Sequence, residues 1–304
     1  MLEVIEKVTL KTICLFVFLV VAVLLPLEEL AGEDFESWRQ DFRETALKQG
    51  ISETVLDRYL SEIRFDPVVI ERLDSQAEFT MPFEEYKSRF VNEEMIGRGS
   101  ERYDQMADTL VEIHNEFGVH PTYLLAIWGV ESRFGGYESE FEIVPSLATL
   151  AYAHPRSSDF FKRELLTLFE LYEELGFSLE GRPSSWAGAM GQPQFLPSSY
   201  QHYAVDFTAT GWADIWGCET DILASVANYL SEHGWQTGEG CGKFIEPDEE
   251  VSEQKRVVPL GKASEIRYAA TSNFDAIFSY NRANNYVVTV CRLAEEIREK
   301  INDK

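Results

Sequence analysis

The reading of the fold turns on Pro121-Thr122-Tyr123-Leu124-Leu125-Ala126-Ile127-Trp128-Gly129-Val130-Glu131-Ser132-Arg133-Phe134-Gly135-Gly136. Proline at the start and glycine at the end bound a helix in the expected order, because proline needs no N–H in the first turn and glycine takes the left-handed stop. Counting back from Glu131 by three, four and seven reaches Trp128, Ile127 and Leu124, so the carboxylate is expected on the apolar face of its own helix. It also falls in the last turn, where the backbone dipole presents negative charge. Burial and dipole both disfavour the ionised form, which predicts a pKa above the ordinary glutamate range. A carboxyl kept protonated near neutral pH can act as a general acid. A salt bridge to Arg133 is the competing reading of the same residue.

Outward from this helix the period stays helical. Apolar residues three and four apart run from Phe35 to Ala46, and after a break at Gly50-Ile51-Ser52 a new helix starts at Ser52. Met106, Leu110, Ile113 and Phe117 make one stripe over 101–117, and 146–175 is helical again. Thr220 or Asp221 is expected to cap a helix that stops at Gly234, and a last helix runs from about Asn284 to Lys300. Between Cys241 and Ala263 the pattern changes to Gly, Pro, charges and Arg256-Val257-Val258, a loop with a short strand pair. The class is therefore mainly α, with a small β/loop segment near 241–263 in an α+β sense.

Two polar aromatic segments stand out. Ser184-Ser185-Trp186-Ala187-Gly188-Ala189-Met190-Gly191-Gln192-Pro193-Gln194-Phe195-Leu196-Pro197-Ser198-Ser199-Tyr200 reads as a shaped loop, its backbone fixed by Gly and Pro. Tyr280-Asn281-Arg282-Ala283-Asn284-Asn285-Tyr286 precedes the last helix, whose cap by Asn284 is the plainer explanation of that segment. Aromatic rings beside amides suit sugars, which have apolar faces and hydroxylated edges. No zinc-helix histidine spacing, Gly-x-Ser-x-Gly or phosphate-cradling glycine loop is present, so the candidate chemistry rests on carboxylates.

Acids outnumber bases 52 to 27, for a net charge of −25, which argues against a nucleic-acid partner and against docking on an anionic membrane through a basic patch. Lys7 and Lys11 precede an apolar run from Thr12 to Leu27, shorter than the roughly 20 residues a spanning helix needs. Residues 1–32 are expected to be a secretory signal peptide, or an anchor where it stays uncleaved, since Glu28 and Glu29 make a poor cleavage site. Cys14 belongs to that segment. Of the remaining cysteines, Cys218 and Cys241 are the expected disulfide pair of an exported chain, with Cys291 on a buried face; three reduced thiols are the alternative.

Together, Ala126–Gly135, Gly188-Ala189-Met190-Gly191 with Gln194-Phe195-Leu196-Pro197-Ser198-Ser199-Tyr200, Asp221–Trp235 with Ser225-Val226-Ala227-Asn228-Tyr229, and Asp74-Ser75-Gln76-Ala77-Glu78-Phe79 resemble the membrane-bound lytic transglycosylase B family. The resemblance runs from about Phe35 to the C-terminus. It implies a lysozyme-like core with additional helical lobes, divided as 33–116 (helical N-terminal part) and 117–304 (core and C-terminal segment) of a 33–304 catalytic module. It implies cleavage of the MurNAc–GlcNAc bond of peptidoglycan glycan strands with 1,6-anhydromuramic ends, no cofactor, and a monomer in the periplasm or cell envelope, associated with the inner or outer membrane through the N-terminus. Glu131 falls on the family's catalytic glutamate, and Ser185, Gln194, Tyr229, Tyr280, Tyr286, Arg133 and Arg156 on sugar-contacting positions. Glu138, Glu140 and Glu142 read as a solvated acidic loop. Three departures are visible. Ala283 stands where the family has Ser, Gln192-Pro193 replaces a more usual pair, and the loop Asp206–Gly217, which holds a metal in some members, has Thr210 and Gly217 in place of acids, so no metal is expected. A non-catalytic peptidoglycan-binding or scaffold protein and a lysozyme-type hydrolase remain alternatives.

Overall fold

A computed structural model describes residues 27–74, 80–136, 139–176, 182–246, 249, 256–260 and 266–304. The segment up to Pro26, which carries most of the expected signal, and the motif residues 75–79 lie outside the described residues. Among the described residues, no helix is long and apolar enough to cross a membrane. The chain divides into two compact units at Phe65/Asp66.

In the first unit, α1 (Leu27–Lys48) and α2 (Glu53–Tyr59) are separated by the break expected at Gly50-Ile51-Ser52. Ser52 caps α2 by accepting the Val55 N–H, which satisfies one of the donors a helix start leaves free. Phe35, Phe42, Ala46, Ile51, Leu56 and Leu60 are buried, and Arg39 donates to the carbonyls of Leu60, Ser61 and Ile63.

The second unit begins with α3 (Pro67–Glu71), α4 (Phe83–Ser88), α5 (Glu93–Gln105) and α6 (Ala107–Phe117). The stripe read over 101–117 is interrupted at Met106, which leaves helical backbone, while Leu110 and Ile113 are buried as expected. Next comes α7 (Pro121–Ser132), which packs against α5, α6 and two later helices, α11 (Glu219–Glu232) and α13 (Asn284–Asn302). Between them lie α8 (Ile143–Ala153), α9 (Ser158–Leu175), α10 (Pro197–Tyr203) and α12 (Ser272–Tyr280). His154-Pro155 splits the stretch read as continuous over 146–175. Proline cannot continue a helix and drives the residue before it out of helical conformation. Strands β1 (Phe141–Glu142) and β2 (Pro183–Ser184) form a short antiparallel pair. The segment read as a strand pair is a three-stranded antiparallel sheet in the order β3 (Gly242–Ile245), β5 (Arg267–Ala270), β4 (Arg256–Pro259).

Two sequence expectations are corrected. The disulfide joins Cys241 to Cys291, with Cα atoms 6.1 Å apart, and Cys218 is a free thiol. Cys241 enters β3 where α13 returns alongside it, so a partner fifty residues away is nearer than one in the same segment. Asp221 is not the cap of α11: Cys218 holds that position and Asp221 lies inside the helix, wholly buried. Its carboxylate accepts the N–H groups of Phe207, Thr208 and Asp214 instead, serving a neighbouring loop.

Candidate active site

Every residue of α7 is buried except Glu131. The helix is thus apolar all round rather than on one stripe, and Glu131 is the point at which it opens outward. The helix ends one residue later, because Arg133 and Phe134 both take left-handed backbone (φ 52° and 56°). Arg133 N–H still bonds to Gly129 O at 2.9 Å, and Ser132 Oγ takes the Gly135 N–H at 3.1 Å, so the turn beneath the carboxylate is closed internally.

The last helix supplies the partner. Tyr286 lies in the first turn of α13, 1% exposed, and its phenol donates a hydrogen bond to Glu131 Oε1. Tyr280, at the end of α12, donates to Pro193 O at 2.5 Å, and Tyr229 on α11 donates to Ser279 O at 2.7 Å. Tyr229 and Tyr280 meet edge to face at 4.8 Å, and Phe195 lies 5.8 Å from each ring. Burial, reinforced by the charge of Glu131, holds the phenols of Tyr280 and Tyr286 well above the ordinary tyrosine range. Burial lifts Tyr229 to about 12, with Tyr203 a smaller contribution. All three therefore stay O–H donors throughout the neutral range.

The loop before α10 is shaped as its Gly and Pro content suggests. Met190 and Phe195 exchange both backbone hydrogen bonds, at 2.6 and 3.0 Å, which pinches out the turn Gly191–Gln194. Gly191 has φ 63°, and a Cβ there would stand 2.6 Å from Ile215 O, so only glycine fits. Gln194 follows with φ 55°, half-buried, its Nε2 on Gly191 O at 2.8 Å.

The structure thus brings Glu131, Tyr286, Tyr280 and Tyr229 into one cluster, with the turn bearing Gln194 held against it through Phe195 and Pro193. Other candidate residues make their contacts elsewhere. Ser185 Oγ accepts the Ala187 and Ala189 N–H groups at 3.2 and 3.0 Å, fixing the loop. Arg133 is exposed, its guanidinium 6.0 Å from the Phe90 ring. Arg156 is exposed between α8 and α9, its N–H on His154 Nδ1 at 3.2 Å. Glu140 and Glu142 are exposed, and Glu138 lies outside the described residues. Sequence reading passed over Gln192 except as a departure; its amide meets both Trp128 of α7 and the carbonyl of Trp216.

The second unit is thus a helical fold in which one carboxylate opens from a buried helix among tyrosines and an amide-bearing loop. Residues 34–257 match the family model described as the transglycosylase SLT domain, and the chain belongs to that family. It is 32% identical over 287 residues to membrane-bound lytic murein transglycosylase B of Escherichia coli K12, covering 82% of this chain and 79% of that protein. Among solved structures it resembles SltB3 of Pseudomonas aeruginosa in complex with NAG-anhNAM-pentapeptide (TM-score 0.78, 31% identity, 87% of this chain and 79% of that one). It also resembles Escherichia coli Slt35 in complex with calcium (TM-score 0.74, 26% identity, 87% of this chain and 93% of that one). The fold is accordingly lysozyme-like and helix-rich.

The loop 206–217 is poor in the carboxylates calcium prefers, with Thr210 and Gly217 where acids would stand. Asp206 accepts the N–H groups of Thr210 and Gly211 on its two oxygens, and Asp214 accepts those of Trp216 and Gly217 on Oδ1. Among the described residues, no three His, Cys, Asp or Glu side chains are grouped to hold a metal, whereas calcium takes six to eight oxygens, several from carboxylates.

Proposed function

We propose that the chain is a lytic transglycosylase that cleaves the MurNAc–GlcNAc bond of peptidoglycan and closes a 1,6-anhydro ring on the muramic acid. The observation that carries this reading is Glu131, the one outward opening of the buried helix α7, joined to the Tyr286 phenol. In the first step the Glu131 carboxyl gives its proton to the glycosidic oxygen, and the GlcNAc hydroxyl leaves. The muramic N-acetyl oxygen attacks the anomeric carbon from the opposite face and holds the charge. In the second step the Glu131 carboxylate takes the proton of the muramic 6-hydroxyl. That oxygen then displaces the acetamido oxygen from the anomeric carbon. One carboxyl is used twice, so no second acid is required and no water is consumed. Tyr286 favours the ionised form reached between the steps, and the apolar walls of α7 favour the protonated form at the start.

Tyr229, Tyr280, Gln194, Ser185, Arg133 and Arg156 are proposed to line the path of the glycan strand. The NAG-anhNAM-pentapeptide bound by SltB3 supports a strand carrying its peptide. The buried Cys241–Cys291 disulfide supports export to an oxidising envelope compartment, with membrane association through the N-terminus.

The test is Glu131→Gln, which keeps the shape but can neither give nor take the proton. General acid–base catalysis is worth about 10²–10⁴-fold, so turnover should fall at least that far while the variant still sediments with insoluble peptidoglycan. Mass analysis of the wild-type digest should show anhydro ends. Reducing ends would make the chain a hydrolase, and no products a binding module.

A further inference from the structure

Gln192 lies on the turn that carries Gln194, and its amide is engaged at both ends. Oε1 accepts from Trp128 Nε1 at 2.7 Å and Nε2 donates to Trp216 O at 2.7 Å, while its backbone N–H donates to Ile215 O at 2.8 Å. Trp128 is wholly buried and sits three residues before Glu131, one turn back on α7. The space is cleared for this amide, since a Cβ on Gly135 would stand 2.5 Å from Gln192 Oε1. The carbonyl it grips is itself aimed. Trp216 N–H bonds to Asp214 Oδ1 at 3.0 Å, and Asp214 N–H bonds to the buried Asp221 Oδ2 at 3.0 Å.

We propose that Gln192 is a positioning residue, which sets the separation between the Glu131 helix and the turn bearing Gln194 by tying Trp128 to the 206–217 loop. An indole N–H offers only a donor and a peptide carbonyl only an acceptor. A planar amide is the side chain that answers both at once. Glutamate at 192 would still accept from Trp128 but would face the Trp216 carbonyl with a second acceptor. Leucine would answer neither and would leave the buried indole N–H without its partner. Gln192 acts through Trp128 and the turn, so its effect belongs to the alignment of the acid with the strand. A misplacement of about 1 Å is enough to cost roughly 10² in rate.

This inference rests on Glu131 being the acid/base, and the experiment separates the two. Gln192→Leu and Gln192→Glu are assayed for kcat and KM on solubilised glycan strands. In parallel, the substrate-free proteins are labelled with ¹⁵N-indole tryptophan, and the Trp128 resonance is assigned by its loss in Trp128→Phe. Gln192→Leu should lower kcat by about 10–100-fold with KM changed less than about threefold and should shift the Trp128 indole resonance. Gln192→Glu should keep that resonance close to wild type and lose less of kcat. A folded Gln192→Leu with wild-type kcat, a loss confined to KM, or an unmoved Trp128 resonance overturns the proposal. If the leucine variant does not fold, Gln192→Glu decides: unchanged kcat overturns it, and lowered kcat at constant KM supports it. The indole resonance is read without substrate. Were Glu131→Gln to retain turnover, the catalytic reading would fail while the tie at Trp128 was still measured.

Discussion

At the scale of single residues, the contact between Tyr286 and Glu131 decides how the carboxyl behaves. A phenol buried this deeply stays protonated, so its only service to Glu131 is as a donor. Hydrogen bonds to charged groups contribute about 1.5–3 kcal/mol, which corresponds to about 10–100-fold in rate. Tyr286→Phe should therefore lose turnover by that factor and remain folded. Wild-type kcat in a folded Tyr286→Phe protein would remove the phenol from the mechanism. Glu131 itself was legible from spacing, because a lone acid in an apolar helical run is conspicuous. Tyr286 entered the sequence reading only through the family resemblance and as a sugar contact, since 155 residues separate it from Glu131 and no periodicity links one to the other.

At the scale of elements, α13 carries both Tyr286 and the disulfide cysteine, and its first turn is tied to its surroundings by Asn284 on Pro259 O and Asn285 on Met81 O but not by its N-cap. Ala283 holds the N-cap in extended backbone (φ −119°, ψ 122°) and makes no side-chain cap bond. Serine there would add a side-chain acceptor at the cap, a contribution of about 1 kcal/mol, or about 2–4 °C in Tm for a chain of this size. Ala283→Ser should raise Tm by that amount in a thermal melt. Because Ala283 is 3% exposed, a fall in Tm would mean the added oxygen finds no room and the cap is closed by packing alone. Helix existence was largely readable from period and punctuation, as at Gly50-Ile51-Ser52 and Pro121. Helix ends were less so where the cap is a residue the sequence uses for another purpose. Asp221 looks like a cap because Asp is a good one. It is instead drawn into α11 to satisfy backbone donors of the 206–217 loop, a demand set by tertiary packing.

At the scale of the whole molecule, the mainly helical class and the small sheet followed from local pattern, whereas pairings across the chain did not. Cys241 chose Cys291 over Cys218 because topology, not proximity in sequence, sets which thiols meet. The same packing leaves a collective signature in the tyrosines. Tyr123, Tyr200, Tyr229, Tyr268, Tyr280 and Tyr286 all have phenols raised above their ordinary pKa, with burial the largest cause in each. In the unfolded chain they titrate near pH 10. Between that pH and their folded values the unfolded state binds fewer protons than the native state, so stability falls as pH rises. Below about pH 10 the contribution is complete and flat. Tyr229, 8% exposed and lifted to about 12, would alone account for a loss on the order of 3 kcal/mol. Unfolding free energy should therefore be level from pH 8 to 9.5 and drop steeply beyond about pH 10. Six of the 13 tyrosines should gain tyrosinate absorbance at higher pH in the folded protein than in the unfolded chain. Denaturant titrations at stepped pH, read by circular dichroism beside absorbance near 295 nm, check both halves. Full tyrosine ionisation near pH 10 in a still-folded protein would contradict the burial on which the cluster around Glu131 depends.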